Sequence, residues 1–378
     1  MSFNLIRNSR VFFTTNVNAQ TGVVQATGFL PANTREIQVL DGFSFSQNTT
    51  AETVTLNEAG AAPVRGQRSF NTALEPVDFS MSTYMRPADG GVNITAEESV
   101  LWNAMFATDP IGGANAAWVE GTSSCTLSAT NSQSHQLQKF GLIILIDGVS
   151  YVIDNCALDT ATIDFGLDAI AMVAWAGKGA ILRQIAGLTA TTGPTVTLAN
   201  GLAGTAKGKD TAAPFIANKL STLTLKGGIN GTGTTYTVAI TGGTLTIANN
   251  LTYLTPANLG VVNRPFTYFT GTRAISGSLN AYLRAGSGNT AGLLADLLTA
   301  STTDVDPEFE VQFEVGGASN PTRVEFEMPA AVLTIPTVST EQVVSTTINF
   351  TAQGFSGSAF DIGAANELQV RYFTTNAA

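Results

Sequence analysis

The stretch EPVDFSMSTYMRP, residues 75–87, decides the fold because the stretch TRAISGSLNAYLRA, residues 272–285, repeats its pattern. In each stretch apolar and polar residues alternate with a period of two, which predicts a half-buried strand. When the two stretches are aligned, six positions carry the same kind of residue: Val77 and Ile275, Ser80 and Ser278, Met81 and Leu279, Tyr84 and Tyr282, Met85 and Leu283, Arg86 and Arg284. The sequence therefore predicts one strand that occurs twice, about two hundred residues apart.

Each copy of this strand is followed by an amphipathic segment, TAEESVLWNAMFA at residues 95–107 and NTAGLLADLLTA at residues 289–300. Both segments place apolar residues at positions i, i+1, i+4 and i+5, which predicts one buried stripe on a helix. Thr95 followed three positions later by Glu98 predicts a capping box at the first helix. We expect capping and the helix dipole to explain both Glu97 and Glu98.

The segments upstream of the two strands also match in order. Residues 40–70 and residues 241–266 each contain a strand, an Asn-rich polar loop, and an arginine, Arg68 or Arg264, that returns into a strand. The order of elements thus occurs twice, which predicts an internal duplication and a mainly β fold of two tandem units, each with one flanking α-helix. The alternative is that Thr- and Gly-rich β-proteins produce such similarities by chance.

The predicted domains are a first unit at residues 1–178 and a second unit at residues 220–378. A Gly-, Ala- and Thr-rich stretch at residues 179–219 is predicted to be a linker arm between them. In the second unit, the dipeptide Gly242-Gly243 separates two alternating runs and predicts a two-residue hairpin turn.

The composition limits the class of protein. Of the 378 residues, 44% are hydrophobic and only 12% are charged, and the net charge is −10. So few charges indicate large contacts between subunits, because the cores of interfaces are depleted of charge; a secreted β-protein is the alternative. No basic stripe is present, so tight binding of a nucleic acid backbone is not expected. The start of the chain lacks a signal-peptide pattern and the apolar runs are too short to span a bilayer, so we expect no export signal and no membrane contact.

Residues that carry chemistry are sparse. The chain has one histidine, His135, and two cysteines, Cys125 and Cys156, which we expect to be reduced and buried. Four closely spaced carboxylates lack the spacing of a calcium loop and are expected on a solvated strand face: Asp154, Asp159, Asp164 and Asp168. Since no nucleophile is paired with a base, the sequence predicts no catalytic site, no metal site and no cofactor.

The polar residues that do repeat between the halves are tyrosines and arginines. Both types are favoured in buried interfaces, because Arg offers a planar set of donors and Tyr a rigid amphipathic ring. The alternative is that each Tyr packs under its own helix and each Arg caps the edge of a sheet. The candidate residues for a subunit interface are Arg68, Tyr84, Arg86, Arg264, Tyr282 and Arg284.

The order of strand, long polar hairpin loop, return strand and strand–helix–strand unit resembles the tail tube proteins (major tail proteins) of long-tailed bacteriophages. The most similar segments are EIQVLDGFSFSQNTTAETVTLNEAG, RSFNTALEPVDFSMSTYMRP and ITAEESVLWNAMF. The resemblance implies β-sandwich or partial-barrel units, six of which form a ring whose inner strands close one continuous barrel around an acidic lumen. It also implies that a long loop of each unit stacks on the next ring.

We place these stacking loops at residues 46–69 and 248–265 and expect them to be mobile in the free subunit. The candidate stacking residues are Asn48, Glu52, Glu58, Arg65, Asn250 and Asn258. Two units per chain predict trimeric rings with pseudo-sixfold symmetry, since three chains would supply six units. A hexamer in which residues 179–378 form an outer domain is the alternative.

The function that the resemblance implies is structural. It is that of a virion protein, assembled in the host cytoplasm, whose stacked rings form the hollow tail tube through which DNA is delivered. The implied partners are further copies of the chain and the tape measure, terminator and baseplate or tip proteins, with DNA present only in transit. Two other classes stay open: a virion fibre or surface adhesin binding module with exposed aromatics at residues 266–269, and a β-rich hydrolase or lyase that uses the carboxylates of residues 154–168.

Overall fold

The structure of the chain is a computed structural model that describes the following residues. These are residues 9–24, 34–54, 68–89, 93–107, 118–128, 137–146, 149–185, 214–228, 231–303, 308–317, 319–335, 337–339, 344–354 and 367–374. The expectations for His135, Glu58 and Arg65 lie outside the described residues.

Within these ranges the chain is mainly β, as predicted from the sequence. In the first half the strands are β1 Ser9–Thr14, β2 Thr34–Ile37, β3 Ser44–Val54, β4 Arg68–Tyr84, β5 Pro87–Asp89, β6 Ile94–Ala96, β7 Trp118–Val119, β8 Cys125–Ser128, β9 Phe140–Ile146, β10 Val149–Asp164, β11 Met172–Gly179 and β12 Ile181–Ile185. In the second half they are β13 Thr222–Gly227, β14 Thr235–Val238, β15 Ile240–Ala248, β16 Leu251–Leu254, β17 Thr267–Thr270, β18 Ala274–Tyr282, β19 Glu308–Val315, β20 Arg323–Leu333, β21 Thr337–Ser339, β22 Ser345–Ala352 and β23 Gln369–Phe373. The two described α-helices are α1 Ser99–Phe106 and α2 Thr290–Thr303.

Nineteen of these strands belong to one hydrogen-bonded network. The strands β5 and β6 form a separate hairpin, and so do β16 and β17. Helix α1 covers one end of the core with Leu101, Trp102 and Met105, all fully buried. The Trp102 ring meets the Trp175 ring edge-on at 4.8 Å, and together they join α1 to β11 at the centre of the core.

The same set of strand pairings occurs in both halves of the described chain. In the first half the pairs are β1–β2, β1–β9, β9–β10, β10–β11, β10–β12, β4–β11 and β3–β4. In the second half the pairs β13–β14, β13–β19, β19–β20, β20–β22, β20–β23, β18–β22 and β15–β18 repeat that set in the same order. Such agreement is consistent with two tandem units, although their descent from one ancestral unit stays a prediction.

The register of the repeated strands agrees with the alignment made from the sequence. Ser80 pairs with Ser44, and their hydroxyls are 2.8 Å apart. At the aligned position Ser278 pairs with Thr244, and their hydroxyls are 3.2 Å apart. Equal registers in β4 and β18 mean that the same positions face the core in both halves.

One cross-strand pair is present in both halves with its two residues exchanged. Phe79 of β4 lies opposite Gly177 of β11, whereas Gly277 of β18 lies opposite Phe350 of β22. A Cβ on either glycine would come within 2.4 Å of the partner ring, so each glycine makes room for the ring across the strand. The register therefore matches Gly177 with Phe350.

The two halves are joined within the chain by a strand pairing. Residues Thr160–Asp164 of β10 pair antiparallel with Thr244–Ala248 of β15. Part of the predicted linker arm is ordered, because β12 (Ile181–Ile185) pairs with β10 and Asn218–Leu220 form a short 3-10 turn. Residues 186–213 lie outside the described residues, so the domain limits stay predictions.

Gly242 and Gly243 do not form the predicted hairpin turn. Both lie inside β15, which runs from Ile240 to Ala248, and the register against β18 shifts between Ile240 and Gly242. The glycines mark a β-bulge, a position where a strand bends and an extra residue is accommodated. A sequence pattern of two alternating runs separated by glycines does not distinguish such a bulge from a turn.

The predicted capping box is also wrong. Thr95 lies in strand β6, and α1 begins at Ser99 with Glu98 at the N-cap. The N-cap residue makes no side-chain cap hydrogen bond, because its carboxylate is used elsewhere in the core. The second helix is close to its predicted position and buries Leu293 and Leu297, two residues of the predicted stripe.

Candidate functional site

A broad polar face is the main feature that this fold presents. The strands β3, β4, β11, β10, β15, β18, β22 and β21 lie side by side in that order. On one side they bury apolar side chains such as Met81, Trp175, Ile163, Leu245, Leu279 and Ile348. The opposite face carries small polar side chains, among them Ser46, Ser80, Thr162, Thr246, Ser278 and Thr347. We call this second surface the hydroxyl face.

The hydroxyl face contains few charges. Three charged residues, Asp78, Asp164 and Lys178, occur in the strand segments that form it: 44–48, 78–84, 160–164, 172–178, 244–248, 274–282 and 345–351. Lys178 donates to Asp78 at 2.8 Å, and this ion pair is exposed enough for solvent to weaken it. The face is therefore nearly neutral and not strongly acidic.

The far end of the hairpin β3–β4 projects from the body of the subunit. Residues 49–54 of β3 are exposed, and residues 68–71 of β4 are exposed as well. Phe70 keeps half of its surface accessible, and the Arg68 guanidinium lies 5.2 Å over its ring. The described parts of the first predicted stacking loop, residues 46–54 with Asn48 and Glu52 and residues 68–69, are thus strands of this arm.

The matching segment of the second half is folded against the first half. Asn249 is buried and its side-chain amide donates to the carbonyls of Met105 and Leu158 at 3.0 and 3.1 Å. The hydroxyl of Tyr253 donates within 2.6 Å of the Asn155 carbonyl, and burial raises the pKa of this phenol well above its usual value. Tyr268 donates to the Leu137 carbonyl at 2.7 Å. The strands β16 and β17 are therefore docked and are not the free loop that the sequence predicted.

The tip of this second segment is open. Leu259 is fully exposed, and Val261 and Val262 each expose more than half of their surface. Beside them a groove of about 560 Å³ is lined by Leu74, Asn258, Arg264 and Phe266, among others. Two predicted residues thus meet here: Arg264 from the interface set and Asn258 from the stacking set. Asn250, the third residue of this loop set, is exposed at the start of the segment and donates to the Thr272 carbonyl at 2.7 Å.

The two Tyr-x-Arg pairs have different surroundings. Arg86 is buried, donates to Gln38 Oε1 at 2.9 Å, and lies 4.3 Å over the ring of Phe215. Burial lowers its pKa despite nearby acidic groups. Tyr84 meets the same Phe215 ring edge-on at 5.2 Å. Both side chains of the first pair are therefore engaged inside the subunit.

The second pair is accessible. Tyr282 exposes 47% of its surface at the end of β18, and Arg284 follows it in an exposed turn. The two halves thus repeat the residues but not their contacts. Of the predicted interface residues, four are exposed on the isolated chain: Arg68, Arg264, Tyr282 and Arg284. Their role in an interface stays a prediction.

A buried polar network connects the C-terminal strand to helix α1. The Tyr372 hydroxyl in β23 donates to Glu98 Oε1 at 2.5 Å and accepts a hydrogen bond from Trp102 Nε1 at 2.7 Å. The backbone N–H of Arg86 approaches Glu98 Oε2 at 3.4 Å. Burial raises the pKa of Glu98 to about 7, although these donors lower it. No local sequence pattern indicates this network, because Tyr372 lies 274 residues from Glu98.

The predicted carboxylate face is only partly solvated. Asp154 is buried, accepts the backbone N–H of Val24 at 2.8 Å, and pairs with Arg183 at 2.6 Å. Asp159 accepts the backbone N–H of Leu251 at 2.9 Å, whereas Asp164 and Asp168 are exposed. Asp154 and Asp159 thus each bind the backbone of a distant segment. The described residues contain no cluster of three or more potential metal ligands. The two cysteines, Cys125 and Cys156, are free and buried, as predicted.

Comparison with known proteins bears on which class of protein this chain belongs to. No family model matches the chain. The chain is 32% identical over 379 aligned positions to the tail tube protein pb6 of Escherichia phage T5, and the alignment covers 93% of this chain and 73% of that relative. The chain belongs to the tail tube protein family.

Membership of the tail tube family gives the chain a structural role in the virion tail, as the resemblance in sequence implied. The fibre or adhesin alternative is not favoured by this finding. None of the described helices is long and apolar enough to cross a membrane. Sequence reasoning missed the hydroxyl face, whose signal was the alternation of Ser and Thr with buried residues in six separate segments.

Proposed function

We propose that three copies of this tail tube protein form each ring, so that six similar units surround one lumen. The observation that carries this proposal is the β10–β15 pairing, which places the second half in the same sheet as the first. A hexamer in which residues 179–378 form an outer domain requires the second half to lie outside that sheet. The repeated set of pairings supports the division of the chain into two ring units.

The hydroxyl face is the surface that we assign to the lumen. It is broad, it belongs to strands of both halves, and it carries no excess of positive charge to hold the phosphates of DNA. The resemblance implied an acidic lumen, which would repel DNA. The surface proposed here is nearly neutral, and it would not bind DNA tightly because it has few cations to hold the phosphates. DNA would then pass over small hydroxyl groups without a fixed binding site.

The exposed arm β3–β4 and the apolar tip at residues 259–262 are the elements that we assign to stacking between rings. Both project from the body and expose apolar side chains, such as Phe70 and Leu259. Burial of these side chains against a neighbouring ring would stabilise the tube. The ends of the tube would contact other tail proteins, including the tape measure, terminator and tip proteins, and the role proposed here involves no catalysis.

Electron microscopy of the purified protein at high concentration tests this function. We expect annuli or hollow tubes, and mass measurement of single rings should give three chains per ring. Six chains per ring would support the hexameric arrangement instead. Compact monomers across all concentrations and salts, even with tail initiator proteins added, would contradict self-assembly of this chain.

A further inference from the structure

Phe215, which lies in the segment that precedes β13, covers the first Tyr-x-Arg pair. Its ring meets the Tyr84 ring edge-on at 5.2 Å, and the Arg86 guanidinium lies 4.3 Å over the same ring. The next residue, Ile216, is buried, and its carbonyl accepts a hydrogen bond from the N–H of Ala171 at 2.8 Å. The first pair is therefore covered by the segment that leads from the first half of the chain into the second.

The second Tyr-x-Arg pair has the same backbone frame, but its side chains are exposed. In the first half the N–H of Met85 donates to the Ala171 carbonyl at 2.9 Å. In the second half the N–H of Leu283 donates to the Val344 carbonyl at 3.0 Å. Val344 thus takes the place of Ala171, which is fully buried. The surface that we call the exposed Tyr-Arg site consists of three side chains: Tyr282, Arg284 and Val344.

The strand pairings fix the alignment of the strands β1 and β13. Leu142 of β9 and Val311 of β19 each pair directly beside the register shift between their strand and the next one, β10 or β20. Leu142 also pairs with Phe13 of β1. In the same way Val311 pairs with Leu225 of β13, so Phe13 corresponds to Leu225. The two strands are therefore aligned residue by residue.

The same alignment, continued backwards without a gap, places Phe3 at the position of Phe215. Two further pairs of residues in these segments agree in kind: Arg7 with Lys219, and Ser9 with Ser221. Residues 1–8 lie outside the described residues, so this correspondence rests on the sequence. The segment before β1 thus carries an aromatic residue at the same distance from its strand as the segment before β13.

We propose that residues 3–8 of one copy pack on the exposed Tyr-Arg site of a neighbouring copy, with the Phe3 ring against Tyr282 and Arg284. This inference rests on the ring-forming role proposed above and names an occupant for two of the predicted interface residues. Phe215 precedes the second half of the chain and covers the first half. In a ring, Phe3 would precede the first half of one copy and cover the second half of its neighbour. The contact is stabilised by burial of the ring and by the attraction between a guanidinium and an aromatic face.

Photo-cross-linking from position 3 of the full chain tests this contact. The variant Phe3→p-benzoylphenylalanine keeps an aromatic side chain that, on irradiation, bonds to C–H groups in direct contact with it. We expect covalent dimers and trimers of the assembled protein on a denaturing gel, with the attachment mapped to residues 282–284 or to Val344. If only the probe-bearing chains of a mixed assembly are isotope-labelled, each cross-linked peptide pair should have one labelled and one unlabelled member, because the bond joins different copies.

Two controls fix the interpretation of the cross-link. Phe215→p-benzoylphenylalanine should attach within its own chain near residues 84–86, which shows that this kind of contact and the irradiation suffice. Tyr282→Ser combined with Arg284→Ser, measured on chains isolated as rings, should lower the yield from position 3 about tenfold, because aromatic and arginine side chains dominate such contacts. Phe269→Ser removes an exposed aromatic ring elsewhere in the second half and should leave the yield unchanged.

The outcomes separate this contact from the ring itself. The contact would be overturned, and the ring role left intact, if rings form normally and the control at position 215 is positive while attachment from position 3 is absent, lies within its own chain or maps to other residues. Equal yields with and without the two serine substitutions would also overturn the contact. Absence of any oligomer, with the control at position 215 still positive, would overturn the ring role and the contact together.

Discussion

At the scale of single residues, the buried carboxyl of Glu98 is the least expected feature. Acidic residues at the start of a helix usually lie in solvent and interact with the helix dipole. Glu98 instead shares its carboxylate with Tyr372 and the backbone of Arg86, inside a site also bordered by Arg35, Glu97 and Cys125. Its pKa of about 7 means that burial outweighs these donors, because loss of hydration penalises the charged form.

The raised pKa predicts a specific loss of stability with rising pH. Below the ordinary pKa of 4.5 the carboxyl is protonated in both states, and between 4.5 and about 7 the folded protein binds more protons than the unfolded chain. Stability from this group is therefore present at low pH and is lost as pH rises towards 7, by roughly 3 kcal/mol in total. Glu98→Gln should not show this loss, because glutamine does not titrate. The unfolding free energy of the variant should therefore rise relative to that of the wild type as pH increases across that window.

Chemical denaturation at several pH values between 4.5 and 8 measures this difference. Glu120→Gln, which changes an exposed glutamate on the segment after β7, controls for the loss of one negative charge. A constant difference between Glu98→Gln and wild type at all pH values would show that Glu98 keeps the same protonation in the folded and unfolded states.

At the scale of elements, the two matching arms differ in how much they contact the rest of the chain. The first arm is formed by β3 and β4, and its counterpart is formed by residues 249–270. The counterpart is fixed to the first half by Asn249, Tyr253 and Tyr268. The first arm has exposed side chains on its distal half, although both begin from the same strand pairing. Backbone hydrogen bonds join Thr72 and Leu74 of the first arm to Asn263 of the counterpart. The distal residues 49–54 and 68–71 are exposed, as expected if they serve contacts between copies.

Deletion of residues 49–62 should separate ring formation from stacking. The described part of this stretch is exposed strand that buries no core side chain, so the variant should keep its thermal unfolding midpoint within a few degrees. Residues 44–48 and their pairing with β4 remain. We expect single rings but no tubes, as measured by electron microscopy and sedimentation.

A point variant controls for damage caused by the deletion. Phe70→Ser keeps the length of the arm but removes an exposed apolar side chain, and it should weaken stacking without abolishing rings. Tubes of normal length from the 49–62 deletion would contradict the role of the arm.

At the scale of the whole molecule, the sheet separates two chemically different sides. One side is a core of aromatic and aliphatic residues, and the other is the hydroxyl face with its few charges. The division follows from strand geometry, because successive side chains point to opposite faces. In the proposed tube the hydroxyl face, with its weak charge, would be repeated in every ring.

Introducing a cation on this face should convert the tube into a DNA-binding surface. Ser80→Lys places one lysine per chain on an exposed position of the hydroxyl face, repeated along the lumen. Tubes of this variant should retain duplex DNA at low salt and release it as salt rises, because phosphate binding is coupled to the release of counterions. Co-sedimentation of tubes with linear DNA of fixed length measures the effect.

The matched control is Asn258→Lys, which adds the same charge at the exposed tip. This variant should bind no more DNA than wild type if the tip lies outside the lumen. Equal retention by both variants would contradict the assignment of the hydroxyl face to the lumen.

The sequence by itself determined the β class, the aligned strands that contain Tyr84 and Tyr282, the existence of both helices and the family. These features have local signals, since alternation and helical periodicity are properties of neighbouring residues. Only the tertiary structure decided which strand lies beside which, that Gly242 and Gly243 form a bulge, and that Glu98 is buried. Pairing across hundreds of residues leaves no local signal: period two shows which face a residue occupies, but not the strand beside it. The environment of a carboxyl likewise depends on distant groups such as Tyr372, which only the folded chain brings near.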